Sequence, residues 1–279
     1  GGEDRPFPVP GMSDVMPYPR SIWSRLGPDH LESYRRIWRE RIGAAVREFE
    51  PDVIQTNHVW LMSSLIPEAA PGVPVVATCH ATGLRQMELT PHLRDVVVAG
   101  CRRIDRFCVL RNDHRDLLAT TLGIEPGHIA VTGAGYRDDL FHSGGSAKAE
   151  PGSILYVGKS SVAKGLPWLL EAVAEMAPGG RLHVAGGGAG PEAEALRSRM
   201  EGMSDRVTLH GMLDQSRLAN LMRRCRVCVL PSFYEGVPLV LVEAAACGCR
   251  LVSTDLPGVK EQIAPGLGPV LRLVRTPRL

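Results

Sequence analysis

The sequence predicts an α/β protein of two doubly wound domains with mostly parallel sheets, residues 1–147 and 148–279. Three observations carry this. Short apolar runs of strand length end in polar or small residues; helix-length stretches separate them; and the alternation breaks at HSGGSAKAEPGS, 142–153, and then starts again. Strands buried on both faces read as continuous apolar runs, and their alternation with helices is the pattern of a parallel sheet wrapped in helices. At 279 residues and 44% hydrophobic, the chain has enough apolar material for two cores.

The opening, GGEDRPFPVPGMSDVMPYP, holds too many prolines and glycines for helix or central strand and reads as a loop. HLESYRRIWRERIGAAVREF follows as a helix. Strands are then expected at DVIQTNH (52–58), VPVVATCH (73–80), RFCVL (106–110) and HIAVTGAG (128–135), with helices such as PHLRDVVVAGCRRI and NDHRDLLATTLG between them. The small, polar stretch 142–153 suits an interdomain linker. Beyond it come strand ILYVG, helix GLPWLLEAVAEM, strand RLHVAG, helix PEAEALRSRM, strand VTLHG and helix QSRLANLMRRC. Strand RVCVLPS, helix PLVLVEAAACG, strand RLVST and a short VLRLV complete the second half. No period of 20 to 50 residues repeats, so the halves share architecture only.

Composition narrows the function. A net charge of +2 and a pI near 8.2 are too balanced to argue for nucleic acid as a partner. Seven cysteines, with Cys225/Cys228 and Cys247/Cys249 the only close pairs, support neither a disulfide framework nor a zinc site; the CxxC reads as small buried hydrophobes. No apolar run reaches the roughly 18 residues of a membrane span, and the expectation is a soluble cytoplasmic protein. From Arg20 to Arg47 seven arginines face Asp29, Glu32 and Glu40. A solvated helix face laced with ion pairs accounts for them, and the alternative is peripheral contact with the anionic inner face of a membrane.

In open α/β sheets ligands sit beyond the carboxyl ends of the strands, where helix N-termini present unpaired N–H groups. Three such loops stand out in the second half. VGKSSVAKGLP (157–167) carries Lys159 and Lys164, two ammonium groups able to neutralise a diphosphate, outside any Walker pattern. AGGGAGPE (185–192) reads G-x-G-x-x-P from Gly186, with no acidic residue at the end of the next strand, so a tight turn explains it better than a dinucleotide fingerprint. The third is PSFYEGVPLVLVEAAACG (231–248), nearly free of charge but for Glu235 and Glu243. Pro238 suits a helix's first turn, which leaves Glu235 in the loop and Glu243 in the second turn. That helix is apolar on every face but one and is expected to be buried, so Glu243 needs a partner: either Arg250 or Arg226, or ligand hydroxyls.

The stretch PSFYEGVPLVLVEAAACGCRLVSTDLPGVKE resembles the E-x7-E signature of retaining glycosyltransferases of family 4. YVGKSSVAKG, LHVAGGGAGPE and VTLHGMLDQSRLANLMRRC resemble the segments that precede it, and PDVIQTNHVW, PVVATCHATG and IAVTGAGYRDDLF resemble first-half segments more loosely. The resemblance implies the GT-B fold of two facing Rossmann-like domains. It implies transfer of a sugar from a nucleotide-sugar donor to an acceptor hydroxyl, with retention at the anomeric carbon, no cofactor and no required metal. By position, Gly158, Lys159, Lys164, Gly236, Val237, Pro238, Leu239 and Val240 would line the donor diphosphate, Glu243 would bind the ribose, and Glu235 the sugar hydroxyls. His80 matches a histidine that faces the donor sugar, which with Glu235 makes the catalytic pair, and His58 falls on the acceptor side.

Pro238 stands where many members have glycine, Lys159 where arginine is commoner, and GAGYRDDLF lacks the usual asparagine. The family's first strand and glycine-rich loop would precede residue 1 and its closing helices would follow Leu279, so the first domain is expected to be incomplete. The acceptor, whether glycan, lipid-linked or small molecule, is open. A non-catalytic nucleotide-binding module and a sugar-nucleotide epimerase on the same scaffold are the competing readings.

Overall fold

Apolar runs become strands where the alternation places them. In the computed structural model, which describes residues 10–11, 21–80, 82–144 and 149–276, the chain divides into two compact units, Gly1–Gly133 and Ala134–Leu279.

The first unit is built on four parallel strands, β1 (Ile54–Asn57), β2 (Val75–Cys79), β3 (Arg106–Val109) and β4 (Ile129–Val131), hydrogen-bonded in chain order. Around them lie α1 (Pro28–Phe49), α2 (Leu61–Ala69), α3 (Thr82–Leu89), α4 (Pro91–Cys101) and α5 (Asn112–Leu122). Trp23 anchors the core edge-on to Tyr34 and Trp60, with ring centroids 5.1 and 5.6 Å away. Beneath them pack Val75, Ala77, Phe107, Val109 and Leu118, all buried. On α1 the arginines are engaged: Arg36 pairs with Glu40 at 3.2 Å, Arg35 with Glu32 at 3.5 Å, and Arg39 reaches Glu68 at 3.0 Å. That is the ion-paired surface face expected of this helix; Arg20, at the start of the basic stretch, lies outside the described residues.

The second unit holds six parallel strands, β5 (Ser153–Lys159), β6 (Arg181–Gly187), β7 (Val207–Gly211), β8 (Val227–Leu230), β9 (Arg250–Thr254) and β10 (Leu271–Val274), in spatial order β10-β9-β8-β5-β6-β7. Helices α6 (Leu166–Glu175), α7 (Pro191–Glu201), α8 (Gln215–Arg224), α9 (Leu239–Ala246) and the four-residue α10 (Ala264–Leu267) connect them. Alternation along β5 splits the core into two layers. Leu155 faces Leu221, Leu241 and Leu251, whereas Tyr156 faces Leu170, Leu182 and Val207.

Three details differ from the sequence reading. The units part between Gly133 and Ala134, ahead of the 142–153 stretch, because Phe141 is buried in the second core and Arg223 Nη1 donates to the Leu140 carbonyl at 3.0 Å. Residues 145–148 of the expected linker lie outside the described residues. The HIAVTGAG strand stops at Val131, where Gly133 turns into the left-handed region (φ 66°). And α9 is not buried all round: Leu241 and Ala244 are buried, its other side chains only half so.

None of the seven cysteines forms a disulfide, and all but the half-buried Cys108 are buried; burial pushes the Cys225 and Cys249 thiols up to about 12, so they behave as core hydrophobes. Among the described residues no helix is long and apolar enough to cross a membrane.

Candidate active site

The strand order of the second unit reverses at its middle. From β5 the chain builds outward through β6 and β7, then crosses back to place β8, β9 and β10 on the other side. The loops leaving the carboxyl ends of β5 and β8 therefore carry the chain toward opposite edges of the sheet, and ligands of doubly wound sheets bind in the crevice at such a switch point. These are two of the loops marked by the sequence, and the third leaves β6, the other neighbour of β5.

Close backbone packing joins all three. Gly165 is left-handed (φ 69°), and a Cβ there would lie 2.0 Å from the Pro231 carbonyl oxygen, so only glycine lets the β5 and β8 loops meet. Phe233 N donates to the Ala163 carbonyl at 3.0 Å, and the Trp168 and Phe233 rings meet edge to face at 4.8 Å. On the other flank Ser160 N donates to the Gly187 carbonyl at 3.1 Å and Val162 N to Glu192 Oε1 at 2.8 Å. Gly186, at φ 123°, has its missing Cβ aimed at the Gly158 carbonyl 2.1 Å away. The glycine-rich stretch thus makes the tight turn the sequence suggested, with Gly190 preceding α7.

Side chains converge on the same place. Lys164 Nζ donates to Glu235 Oε1 at 2.6 Å, and Ser232 Oγ donates to that oxygen at 2.8 Å. Both loop residues are largely shielded, Lys164 29% and Glu235 16% exposed at the side chain, which makes this pair stronger than an open surface bridge. Glu235's charge, after burial itself, pushes the Tyr156 phenol upward, and that hydroxyl donates to the Lys159 carbonyl at 2.6 Å. The Lys159 side chain is exposed at the strand end and forms no ion pair among the described residues.

Glu243 sits differently. It lies in the second turn of α9, half-buried, and desolvation alone raises its carboxyl above the ordinary value. Neither Arg226 nor Arg250 reaches it, and among the described residues its carboxylate has no ion pair or hydrogen bond. Pro238 is found at the N-cap, one residue ahead of the helix (φ −77°, ψ 93°), rather than in the first turn. The amides of Leu239 and Val240 are in the first turn, where no preceding carbonyl is available, and Val237 lies just ahead of it. A Cβ at Gly236 would meet nothing within 4 Å, so that stretch of loop is sterically open.

In the first unit, His58 and His80 follow the adjacent parallel strands β1 and β2, and their rings lie 5.0 Å apart. His80 is exposed, and its Nε2 meets Asn57 Oδ1 at 3.1 Å; with the amide oxygen accepting, the proton resides on Nε2. His58 is left-handed (φ 67°), a conformation that costs a non-glycine residue about 1–3 kcal/mol and persists only where its surroundings over-determine it. Here His58 N donates to the Thr78 carbonyl at 2.8 Å, and Ser63 Oγ donates to the His58 carbonyl at 2.6 Å. Burial first, then the charge of His80, lowers the His58 pKa, so its ring is neutral at pH 7.

Gly158 and Lys159 thus end strand β5, Lys164, Glu235, Gly236, Val237, Pro238, Leu239, Val240 and Glu243 belong to the second unit's switch-point loops or the helix α9 that follows, and His58 and His80 form one strand-end pair in the first unit. Sequence reasoning missed Ser232 and Asn57. Ser232 stands three residues before Glu235 and Asn57 directly precedes His58; short polar residues beside a candidate at a strand's carboxyl end were the available signal. Among the described residues no group of three or more His, Cys, Asp or Glu is placed to hold a metal ion.

Known proteins share this organisation. A sequence family described as Glycosyltransferase Family 4 matches residues 4–139, and one described as Glycosyl transferases group 1 matches residues 151–276. A D-inositol 3-phosphate glycosyltransferase of Mycobacteroides abscessus is 29% identical over 234 residues, covering 75% of this chain and 52% of the relative. The chain spans about half the length of the curated relatives it matches. Among solved structures, a sucrose-phosphate synthase of Thermosynechococcus elongatus aligns with TM-score 0.68 at 23% identity, over 98% of this chain and 75% of that one. Anabaena Alr3699/HepE in complex with UDP aligns with TM-score 0.68 at 18% identity, over 86% and 68%. These likenesses show the fold, an α/β architecture of two parallel-sheet domains matching that of GT-B glycosyltransferase structures, and the two halves of the chain are similar, in order, to the Glycosyltransferase Family 4 and the Glycosyl transferases group 1 families.

Proposed function

We propose that this chain carries the donor site and part of the acceptor side of a retaining, nucleotide-sugar-dependent glycosyltransferase. The observation that supports this reading is the Lys164–Glu235 pair between the loops that leave β5 and β8 at the second sheet's switch point, with Lys159 at the end of β5 and α9, bearing the unpaired Glu243, following the Glu235 loop.

In the proposed reaction the bond between the anomeric carbon and the diphosphate oxygen breaks, and its electron pair leaves with the nucleotide. Lys159, Lys164 and the amides near Val237, Leu239 and Val240 stabilise that departing charge in place, with no reorganisation at the moment of reaction. The acceptor oxygen forms the new bond to the anomeric carbon, and its proton passes to the departing diphosphate oxygen. Glu243, lacking a protein partner, accepts hydrogen bonds from the ribose hydroxyls, and Glu235 presents its second oxygen to the sugar. Neither carboxylate acts as a nucleophile, since both lie in one loop and helix of one unit rather than flanking the scissile bond. A neighbour solved with UDP supports a nucleotide-bearing donor. His80, exposed and oriented by Asn57, and the neutral His58 are the first unit's candidates for the reacting sugar and the acceptor.

The test is binding and turnover together. Glu243→Ala is expected to weaken binding of UDP, GDP or ADP by about tenfold to a hundredfold, the loss of hydrogen bonds to a charged group. Glu235→Ala is expected to leave that affinity nearly unchanged while lowering transfer from the radiolabelled nucleotide-sugar. Unchanged behaviour of both variants would overturn the assignment. Nucleotide binding without transfer or hydrolysis of any donor would favour a non-catalytic binding module.

A further inference from the structure

Lys164 is assigned above to the diphosphate, yet in the free chain its ammonium lies 2.6 Å from Glu235. Any diphosphate that recruits Lys164 pulls on the group that also holds the sugar-binding carboxylate. Something else must keep Glu235 aimed. Resting on the donor-site reading, we propose that Ser232 is the positioning residue of Glu235: it fixes Oε1 independently of Lys164, so that Oε2 faces the sugar before and after the diphosphate arrives.

The geometry separates the two holders. Both donate to the same oxygen, Ser232 Oγ at 2.8 Å and Lys164 Nζ at 2.6 Å, and among the described residues no donor reaches Oε2. One oxygen is therefore saturated and the other is left for a ligand. Ser232 is fully buried, with one side-chain torsion to fix, and its own carbonyl accepts from Thr254 Oγ1 at 2.5 Å, at the carboxyl end of β9. It is thus tied to two strand ends, β8 behind it and β9 beside it, which is the rigid support a precisely aimed group needs. Lys164 hangs from a 3₁₀ turn on a four-carbon chain with three N–H donors, enough to serve phosphate and carboxylate in turn. Because Ser232 donates only one hydrogen, its bond to Oε1 is not available to the phosphate.

The experiment uses the chain as it stands, first measuring binding of UDP, GDP and ADP and then crystallising the wild type and Ser232→Ala with the nucleotide that binds. Expected in the wild type is Lys164 Nζ on a phosphate oxygen with Glu235 Oε1 still on Ser232 Oγ; in Ser232→Ala, the Glu235 carboxylate is expected to leave its rotamer. In turnover, Ser232→Ala should keep the nucleoside diphosphate Kd, the donor KM and the melting temperature of the wild type while kcat falls about tenfold or more, a loss of one charge-assisted hydrogen bond. A general weakening of the fold would move the melting temperature and Kd as well, and Ser232→Cys, a weaker donor of similar size, should give an intermediate kcat. The proposal is overturned if Glu235 abandons Ser232 in the nucleotide complex, or if Ser232→Ala keeps the wild-type carboxylate position and kcat while Glu235→Gln is impaired. If no nucleotide binds, or Glu235→Gln also turns over normally, the donor-site reading beneath it fails instead.

Discussion

Glu243 offers a test in which stability and function are expected to move in opposite directions. Its carboxylate is half-buried on α9 with no protein partner among the described residues, and desolvation raises its pKa above 4.5. Complete burial of an unpaired carboxylate costs several kcal/mol, and partial exposure with solvent screening reduces this to about 1 kcal/mol. Glu243→Gln keeps the shape and removes the charge, so the nucleotide-free protein should gain about that amount, which is about 2–4 °C in melting temperature for a unit of this size. The pH dependence fixes the cause. An acid whose folded pKa is raised holds its proton longer in the folded state, so the cost is present in full above the folded pKa and vanishes below about 4.5. The gain from Glu243→Gln should therefore be largest near pH 7 and fade as pH approaches 4.5. Paired thermal melts of wild type and variant at pH 7 and pH 4.5, without nucleotide, measure it. A lower melting temperature for the variant at pH 7 would show that the carboxylate is satisfied within the protein, and the argument that it awaits ligand hydroxyls would collapse.

Two further outcomes follow from packing and from titration. Gly165→Ala places a methyl group 2.0 Å from the Pro231 carbonyl at a left-handed φ of 69°, a strain of about 1–3 kcal/mol before any clash; urea unfolding should show that loss, and nucleotide affinity should fall with it because the β5 and β8 loops separate, whereas unchanged affinity would mean that their contact does not shape the site. In the second sheet, His183 Nδ1 and His210 Nε2 lie 3.0 Å apart, with Arg224, Arg181 and Glu150 around them. Burial, then the neighbouring charges, lowers both pKa values below 6.5. The unfolded chain takes up these protons first as pH falls, so stability is lost on acidification from 6.5 down through the folded values and is unaffected above 6.5. Urea midpoints at pH 7.5 and 5.5 should fall less in His210→Gln than in the wild type, and equal drops would refute the assignment.

The strands were legible because a parallel strand covered on both faces needs an unbroken apolar run, and ILYVG, RLHVAG and RVCVL have little else to become. The helix Leu61–Ala69 was less so, since Pro67 in its last turn and Ser63–Ser64 in its middle break the apolar pattern; buried, those serines bond instead to the Thr56 hydroxyl and the Leu61 carbonyl. The compact units part ahead of the polar 142–153 stretch because composition marks where a chain is polar, whereas Phe141 and the Arg223 bond to Leu140 decide where it packs. Likewise the apolar run around Glu243 suggested full burial, but helix hydrophobicity does not say which face is covered, and α9 buries only one.

Spacing also treated the two glutamates as equals. Eight positions apart, they look like one motif with one role, yet Glu235 finds Lys164, 71 residues away in sequence, and Glu243 finds nothing. That difference has a chemical consequence. A carboxylate already held by a lysine and a buried serine has little orientation left to lose when a sugar arrives, so its contribution goes into aim rather than affinity. In the proposed site a carboxylate left half-desolvated and unpaired would do the reverse: ligand hydroxyls reaching it would offset its desolvation, and the binding free energy gained would be what the free fold forgoes. The pair would then divide the proposed donor between them: the unpaired acid would hold the part that is released unchanged, and the paired acid would aim the part that reacts.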